Sequence, residues 1–356
     1  MIKVEVQEIT NNLDRIRVPL NSKQRAEKET NPIYPYIGAN NIMGYIDEYL
    51  FDEKILCVAE DGGSWGYQQT CAKIYNEKVW VNNHAHVLTA KDNLILEYLM
   101  YYMNYADLSL YINGATRGKL TKSSLNNIQI PLPPLDKQKK IAAVLDAADA
   151  YRQKTKVLIE KYEELTQSLF VDMFGDPVSN PKGWRKHKLG DICHMKAGKF
   201  VKASDIISEN NSNMYSCFGG NGLRGYVESF THEGEFLLIG RQGALCGNVK
   251  KVKGKFHATE HAIVCLPRME YETLWLYHML VMINLSKYAT GAAQPGLNVG
   301  TLVELEVIFV PYALQNQFAE RVQAIEAQKA QAQASLAQAE DLFNGLLQRA
   351  FKGELV

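Results

Sequence analysis

The stretch IQIPLPPLDKQKKIAAVLDAADA, residues 128–150, places a short β-type run and three prolines directly before a helical pattern. The stretch VIFVPYALQNQFAERVQAIEA, residues 307–327, has the same layout near the C-terminus. Proline cannot donate a ladder hydrogen bond, and it holds the preceding residue in an extended conformation, so these prolines end the strand before the helix begins. The chain therefore contains the same strand, proline turn and helix twice.

The duplication extends far beyond these two stretches. The alignment that places Gln138 over Gln315 also places Gly114 over Gly291 and continues without a gap to Phe174 and Phe351. Further upstream the offset between the copies becomes slightly larger, and there IYPYIGANNIMGYI (33–46) aligns with MYSCFGGNGLRGYV (214–227). A repeat that keeps a nearly constant offset indicates two copies of one structural plan in tandem.

Each copy predicts the same order of elements. Short apolar runs bounded by glycine, as in EKILCVAEDGGSWGY and GEFLLIGRQGALCGNV, predict strands joined by turns. The segments LILEYLMYYMNYA and ETLWLYHMLVMINLS predict a helix before each proline turn. A long helix without glycine or proline then runs from Asp136 to Phe174, and its second copy runs from about Leu314 to Lys352.

Apolar residues recur along both long helices at spacings of three and four, which predicts a coiled-coil seam. A helix packed only on its own domain is the weaker alternative, because about 39 residues span about 58 Å. Antiparallel packing of the two helices makes exchange of the copies equivalent to a two-fold rotation. The predicted seam residues are Ile141, Val144, Leu158, Leu165 and Leu169 on the first helix, and Phe318, Val322, Ile325, Leu336, Phe343 and Leu346 on the second.

The predicted fold class is therefore α+β, with two α/β domains separated and joined by two long antiparallel coiled-coil helices in a pseudo-two-fold tandem repeat. We place the first domain at 1–134, the first spacer helix at 135–175, the second domain at 176–312 and the second spacer helix at 313–356.

Composition limits the possible functions. Lys plus Arg and Asp plus Glu both total 39, and zero net charge argues against a free-standing basic nucleic-acid binder. Lysines and arginines are nevertheless concentrated between Lys182 and Lys202 and in KKVKGK (250–255). Such clusters are typical either of a nucleic-acid-binding surface or of an ordinary solvated face.

The chain shows neither an apolar run of membrane-spanning length nor a secretory signal, so we expect a cytoplasmic protein without membrane association. The six cysteines form no C-x-x-C pair, which disfavours disulfides and thiolate metal sites.

Catalytic signatures are missing from the sequence. It contains no phosphate-binding G-x-x-x-x-G-K-[ST] loop, no H-E-x-x-H and no G-x-S-x-G. His84, His86, His257 and His261 lack metal-ligand spacing repeated in both copies, so we expect structural roles for them and no metal site. NPIY (31–34) and FGGNG (218–222) approximate methyltransferase motifs, but NPIY lacks a second proline and FGGNG does not open a helix. We expect no catalytic residues in this chain.

The ordered and duplicated motifs resemble those of the specificity subunits of type I restriction-modification systems. The resemblance covers nearly the whole chain and includes GWRKHKLGDI (183–192), YPYIGANNIMGYIDEY, NGATRGKLTKSSLNNIQIPLPPLDKQKKI and AEDLFNGLLQRAFKGEL. The first copy departs from it at the start, with VEVQEI where the second has HKLGDI, and the second copy reduces PLPP to FVPY.

The resemblance implies a division of labour among subunits. Two target recognition domains each bind half of a split double-stranded DNA sequence, and the helices set the gap between the halves. The helices also dock two modification subunits, which supply S-adenosylmethionine and adenine methylation, and restriction or translocase subunits can join. It implies no cofactor in this chain.

Loops are the expected DNA-binding elements, because the framework repeats while the loops differ, and their polar side chains can contact base edges or phosphates. In the first domain we predict the loop Glu60–Gly66 and the segment NGATRGKLTK. The predicted DNA-binding residues are Arg117, Lys119, Lys122, Arg241, Gln242, Lys250, Lys251, Lys253, Gln294 and Asn298. Two other functions remain open at this stage: a DNA methyltransferase that acts alone, and a coiled-coil interaction protein unrelated to DNA.

Overall fold

The computed structural model describes residues 2–114, 117–211, 213–243, 245–291 and 295–355. The chain divides into two compact units, unit 1 comprising 1–156 and 334–356, and unit 2 comprising 157–333. Each unit therefore contains one mixed domain and parts of both long helices.

Unit 1 begins with an α/β domain. Its strands are β1 (Lys3–Glu5), β2 (Thr10–Asn12), β3 (Tyr34–Ile37), β4 (Ile42–Ile46), β5 (Ile55–Ala59), β6 (Ala72–Tyr75), β7 (Trp80–Val81), β8 (Ala85–Ala90), β9 (Ile112–Asn113), β10 (Lys119–Leu120) and β11 (Gln129–Pro131). Its helices are α1 (Val6–Ile9), α2 (Ser22–Glu27), α3 (Leu96–Tyr105), α4 (Lys122–Asn126) and the start of α5 (Leu135–Phe174). The strands form sheets ordered β2-β8-β5-β6 and β4-β3-β7, and two pairs, β1-β11 and β9-β10.

Unit 2 repeats this plan. Its strands are β12 (Lys186–Lys188), β13 (Cys193–Ala197), β14 (Tyr215–Gly219), β15 (Gly222–Val227), β16 (His232–Gly240), β17 (Val249–Ala258), β18 (Ala262–Pro267) and β19 (Glu306–Ile308). Its helices are α6 (Leu189–Ile192), α7 (Thr273–Ile283), α8 (Val299–Val303) and the start of α9 (Tyr312–Lys352). One sheet, ordered β13-β18-β16-β17-β14-β15, corresponds to both larger sheets of unit 1 because the ten-residue β17 spans the positions of β6 and β7.

The first and last strands of each domain pair antiparallel, β1 with β11 and β12 with β19. The last strand is followed at once by the long helix, as the repeated proline turns predict. The predicted strands ILCVA and FLLIG are β5 and part of β16, and the two shorter predicted helices are α3 and α7.

Segments of both long helices pack against each other within unit 1. Ile141 and Leu145 of α5 share a core with Phe343 and Leu347 of α9. The Arg152 guanidinium lies 3.9 Å from the centre of the Phe343 ring, and Lys156 forms an ion pair of 3.3 Å with Glu340. The later residue on α5, Lys156, contacts the earlier residue on α9, Glu340, so the two segments are antiparallel.

Unit 2 contains the complementary segments of the helices, which are also antiparallel. The Phe318 ring of α9 packs edge-on against Phe170 and Phe174 of α5, with both centroids 5.4 Å away. Lys329 forms an ion pair of 2.8 Å with Glu163. A charge pair thus lies between the two helix segments of unit 2.

The buried side of α5 differs from the predicted seam. Ile141, Phe318, Val322 and Phe343 are buried, and Leu169, Ile325, Leu336 and Leu346 are half-buried. Val144, Leu158 and Leu165 are exposed, so the prediction for these three residues was wrong. Buried positions on α5 also include Thr155, which follows Ile141 at heptad spacing, and Leu145 and Thr166, which lie on the stripe next to Val144, Leu158 and Leu165. Thr155 and Thr166 tolerate burial because their hydroxyls donate hydrogen bonds to carbonyls of the same helix, those of Tyr151 and Tyr162.

Candidate nucleic-acid interface

The predicted loops after β5 and β16 lie in the same backbone environment in the two units. The Glu60 amide donates to the His84 carbonyl at 2.8 Å, and the Leu120 amide donates to the Glu60 carbonyl at 2.8 Å. We call the surface formed by residues 60–61, 84 and 117–120 junction 1. It joins the loop after β5, the turn before β8 and the strand β10.

Junction 2, formed by residues 241–242, 260–261 and 296–297, has the same hydrogen bonds. The Arg241 amide donates to the His261 carbonyl at 2.9 Å, and the Leu297 amide donates to the Arg241 carbonyl at 2.8 Å. Isolated antiparallel bridges also correspond, Asp61 with Lys119 in junction 1 and Gln242 with Gly296 in junction 2. The repeat therefore preserves the framework while changing its side chains.

Junction 1 contains two acidic and three basic side chains in contact. Asp61 Oδ1 lies 2.8 Å from His84 Nδ1 and accepts a hydrogen bond of 3.0 Å from Arg117 Nη2. Glu60 Oε1 forms an ion pair of 3.0 Å with Lys119 Nζ. The side chains of Arg117 and Lys119 are 68% and 49% exposed, whereas those of Asp61 and Glu60 are 19% and 13% exposed. The cations therefore face outward and the carboxylates lie behind them.

A second layer of charge lies beneath junction 1. His86 Nδ1 is 2.7 Å from Asp14 Oδ2, and its Nε2 is 2.8 Å from the Leu120 carbonyl. The Arg17 guanidinium contacts both acids, at 2.7 Å from Glu60 and 3.5 Å from Asp14. This network anchors the loop to β8 and β10 through polar contacts.

The carboxyl groups of this layer titrate at low pH. Burial alone raises the pKa of Asp14, but hydrogen bonding and charge attraction from His86 outweigh it and leave the pKa below its ordinary value. Burial likewise raises the pKa of Glu60, and hydrogen bonds from Arg17 and Lys119 reverse the shift. Both groups are therefore carboxylates at neutral pH.

Asp14, Glu60 and His86 form the group within the described residues whose donor atoms are close enough for a metal ion, all within 4.8 Å of one another. Arg17 already balances the two carboxylates. A divalent cation would have to compete with this guanidinium, so the cluster fits a structural ion-pair network better than a metal site.

Junction 2 has different chemistry at the same positions. Gln242 Oε1 lies 3.0 Å from His261 Nδ1, and His261 Nε2 lies 3.1 Å from Glu260 Oε1. Gln242 is exposed, and the His261 side chain is 44% exposed. Arg241, half-buried, occupies the position of Glu60. The two carboxylates of junction 1, Glu60 and Asp61, are thus replaced in junction 2 by the guanidinium of Arg241 and the amide of Gln242.

The predicted lysines of β17 lie on a different part of unit 2. Lys251 and Lys253 are 3.8 Å and 3.9 Å from carboxylate oxygens of Glu235 on the neighbouring strand. Lys250 and Lys251 line a cavity of about 680 Å³ formed with α5, α7 and α9. The Lys253 side chain is 83% exposed and that of Lys251 is 37% exposed, so Lys253 is the more accessible of these two for a phosphate contact.

The remaining predicted residues have varied positions. Asn298 is the N-cap of α8, and its Oδ1 accepts from the Thr301 amide at 2.8 Å. Thr121 caps α4 in the same way, so the shared capping role accounts for the polar residue at this position. Lys122 is exposed in the first turn of α4. Gln294 lies outside the described residues.

The histidines separate into two groups. His86 and His257 are buried and bonded to neighbouring groups, as structural residues would be. His84 and His261 instead are partly exposed and contact the residue at the tip of each loop. The predicted loop Glu60–Gly66 included Asp61, but its pairing with His84 was not predicted. The upstream alignment of the two copies, which places Asp61 over Gln242, was the available signal.

Among the described residues, no helix combines the length and apolarity that a membrane span requires. Both long helices carry charged residues throughout.

Comparison with known proteins gives a consistent result. Residues 5–164 and 181–340 each match the family model described as "Type I restriction modification DNA specificity domain". The chain is similar to the type I restriction enzyme EcoprrI specificity subunit of Escherichia coli, with 52% identity over 128 residues, 36% of this chain and 32% of that protein. A putative specificity subunit of Haemophilus influenzae is 34% identical over 143 residues, 40% of this chain and 36% of that protein. The chain thus covers about a third of the length of these two relatives.

A longer but weaker match and a solved structure extend over most of the chain. The MjaVIII specificity subunit of Methanocaldococcus jannaschii is 21% identical over 84% of this chain and 81% of that protein. The crystal structure of a type I restriction-modification system S subunit from M. genitalium covers 98% of this chain and 96% of that one, with 17% identity and a TM-score of 0.65. At this identity the structural match concerns the fold alone.

Proposed function

The chain belongs to the type I restriction modification DNA specificity family, and from this membership we propose that it is the non-catalytic specificity subunit of a multisubunit methyltransferase and endonuclease. In this role it binds a split double-stranded DNA sequence in the cytoplasm and assembles other subunits on its helices. The observation that supports the proposal most directly is the pair of junctions, which place different polar side chains on one repeated framework.

Two junctions with unlike side chains suit a DNA site with two unlike halves. Base edges in the major groove present distinct patterns of donors, acceptors and methyl groups, so a change of side chain on a fixed backbone changes the preferred base. A net charge of zero is compatible with this role when partner subunits contribute phosphate contacts.

Exposed apolar residues on α5 support the docking of modification subunits. Val144 and Tyr151 are exposed in the segment that belongs to unit 1, and Leu158 and Leu165 are exposed in the segment that belongs to unit 2. They recur every seven residues, which is the spacing of a coiled-coil contact stripe. We propose that two modification subunits cover this stripe and that S-adenosylmethionine binds to those subunits, with restriction or translocase subunits joining the complex.

The test of the proposed function is sequencing of methylated bases in cells that carry this chain together with its modification subunits. We expect methylation at a split motif that disappears when this gene is deleted. The absence of any motif that depends on this gene would contradict the proposal. A methyl-transfer assay on the purified chain without partners addresses the methyltransferase alternative, and we expect no incorporation.

Docking can be tested separately from DNA binding. Leu158→Glu and Leu165→Glu place charge on the exposed stripe, and we expect loss of co-purification with the modification subunits without loss of folding. Gln153→Glu, on another exposed face of α5, is the matched control because it adds the same charge. Full assembly of the two leucine variants would contradict this docking surface.

A further inference from the structure

We propose that Arg117 of unit 1 recognises a guanine and Gln242 of unit 2 recognises an adenine, and that Asp61 and His261 are the positioning residues that orient them. This inference rests on the proposed function, since it names the bases that each junction selects. To the predicted DNA contacts it adds, for each unit, one specific base and one side chain that orients the residue contacting that base.

Arg117 has the exposure and the support that contact with a base requires. Its guanidinium is held at one nitrogen, where Nη2 donates to Asp61 Oδ1 at 3.0 Å, while the side chain is 68% exposed. Gly62 lies directly beneath it, and a Cβ at Gly62 would be 3.1 Å from Nη2. Its other N–H donors can therefore form the bidentate contact with O6 and N7 that guanine accepts from arginine.

Asp61 is itself held in place. Its Oδ1 also contacts His84 Nδ1 at 2.8 Å, and its side chain is only 19% exposed. Direct contact with a base is therefore less suited to Asp61 than to Arg117, whose side chain is far more exposed. The carboxylate restricts the guanidinium to one orientation and reduces the entropy lost on binding.

Gln242 occupies the position of Asp61, and the histidine that orients it, His261, is the counterpart of His84. Its Oε1 contacts His261 Nδ1 at 3.0 Å, and His261 contacts Glu260 at 3.1 Å through its other nitrogen. An amide oxygen has two acceptor sites, so one remains for the adenine N6 amino group while Nε2 donates to N7. This is the bidentate contact that glutamine makes with adenine.

The experiment selects bound sequences from random DNA with the full chain in complex with its modification subunits. We expect the unaltered complex to select a split sequence with a guanine in one half and an adenine in the other. Arg117→Lys keeps the positive charge but lacks the planar fork, so we expect it to relax one G·C position by roughly 5- to 150-fold. Gln242→Ala should relax one A·T position in the opposite half by a similar factor.

Each variant contains its own folding control, because the half bound by the other unit should be selected as before. Lys23→Gln, an exposed change on α2 outside junction 1, is a control that should leave the base preference at both positions unchanged. An unchanged motif with Arg117→Lys or Gln242→Ala would overturn the inference while leaving the proposed function intact. Failure of the unaltered complex to select any split sequence would instead contradict the proposed function.

The positioning roles require a readout that a purely structural role would not change. Asp61→Asn should relax the same G·C position as Arg117→Lys, and the double variant should relax it no further. His261→Ala should relax the same A·T position as Gln242→Ala, and the double variant should relax it no further. Additive effects, or relaxation at a different base pair, would show that Asp61 and His261 do not act through these partners.

Discussion

A buried glutamine at the start of each long helix offers a test of how the helices are attached to the domains. Gln138 accepts a hydrogen bond from the Ile95 amide at 2.9 Å and donates to the carbonyls of Pro133 and Asn93 at 2.8 Å and 3.1 Å. Gln315 accepts from the Glu272 amide at 2.8 Å and donates to the Val310 carbonyl at 2.8 Å. Both side chains are almost completely buried.

Replacement by leucine removes these bonds while keeping a side chain of similar size. Gln138→Leu deprives three backbone groups of partners and Gln315→Leu deprives two, at a cost of about 1–3 kcal/mol for each buried group. Burial of the leucine offsets part of this cost. We expect a loss of unfolding free energy of about 3–5 kcal/mol in unit 1 for Gln138→Leu, and about 2–4 kcal/mol in unit 2 for Gln315→Leu.

Hydrogen exchange with mass spectrometry is the appropriate assay, because it measures the opening free energy of each unit separately. Gln348→Leu, an exposed glutamine on α9, is the control and should change stability by no more than about 0.5 kcal/mol. If Gln138→Leu costs no more than this control, the buried glutamines do not hold the helices to the domains. If Gln315→Leu costs clearly more than Gln138→Leu, the estimate from the number of orphaned groups is wrong.

Three further outcomes follow from the helices and the core. Removal of seven residues from the middle of each long helix shortens it by about 10 Å, so the gap between the recognised half-sites should decrease by about three base pairs, measured by methylated-base sequencing. Burial, and then the charge on Lys251, lowers the pKa of His278 to about 4. Because the unfolded chain then binds the extra proton, unit 2 should lose up to about 3 kcal/mol as pH falls from 6.5 to 4, and His278→Gln should lack this loss in urea titrations at stepped pH. Phe318→Ala should cost about 3–5 kcal/mol in urea unfolding, whereas the exposed Phe200→Ala should change stability by less than about 0.5 kcal/mol.

Sequence patterns predicted the architecture well because its signals are local. The absence of glycine and proline from Asp136 to Phe174 indicates one continuous helix, and the structure has α5 from Leu135 to Phe174. The gapless alignment of the second part of each copy predicted that the two domains share a framework, and the matching hydrogen bonds of Gln138 and Gln315 follow that alignment.

The seam of α5 shows where local pattern is insufficient. Val144 and Leu145 are neighbours on adjacent stripes, and both are apolar, so either stripe could face a partner. The structure buries Leu145 and exposes Val144. Which stripe is buried depends on the shape of the surface that packs against it, and that surface comes from the distant residues Phe343 and Leu347.

Four features could be predicted from the amino-acid sequence: the duplication, the order of strands and helices, the long helices and the resemblance to a family. Each depends on residues close together in the chain or on a nearly constant offset between the copies. The contact of Arg117 with Asp61, 56 residues away, and that of Gln242 with His261 depend on the tertiary fold. Side chains have no preferred partner until folding brings distant strands together. The electrostatic character of each junction is therefore a property of the fold.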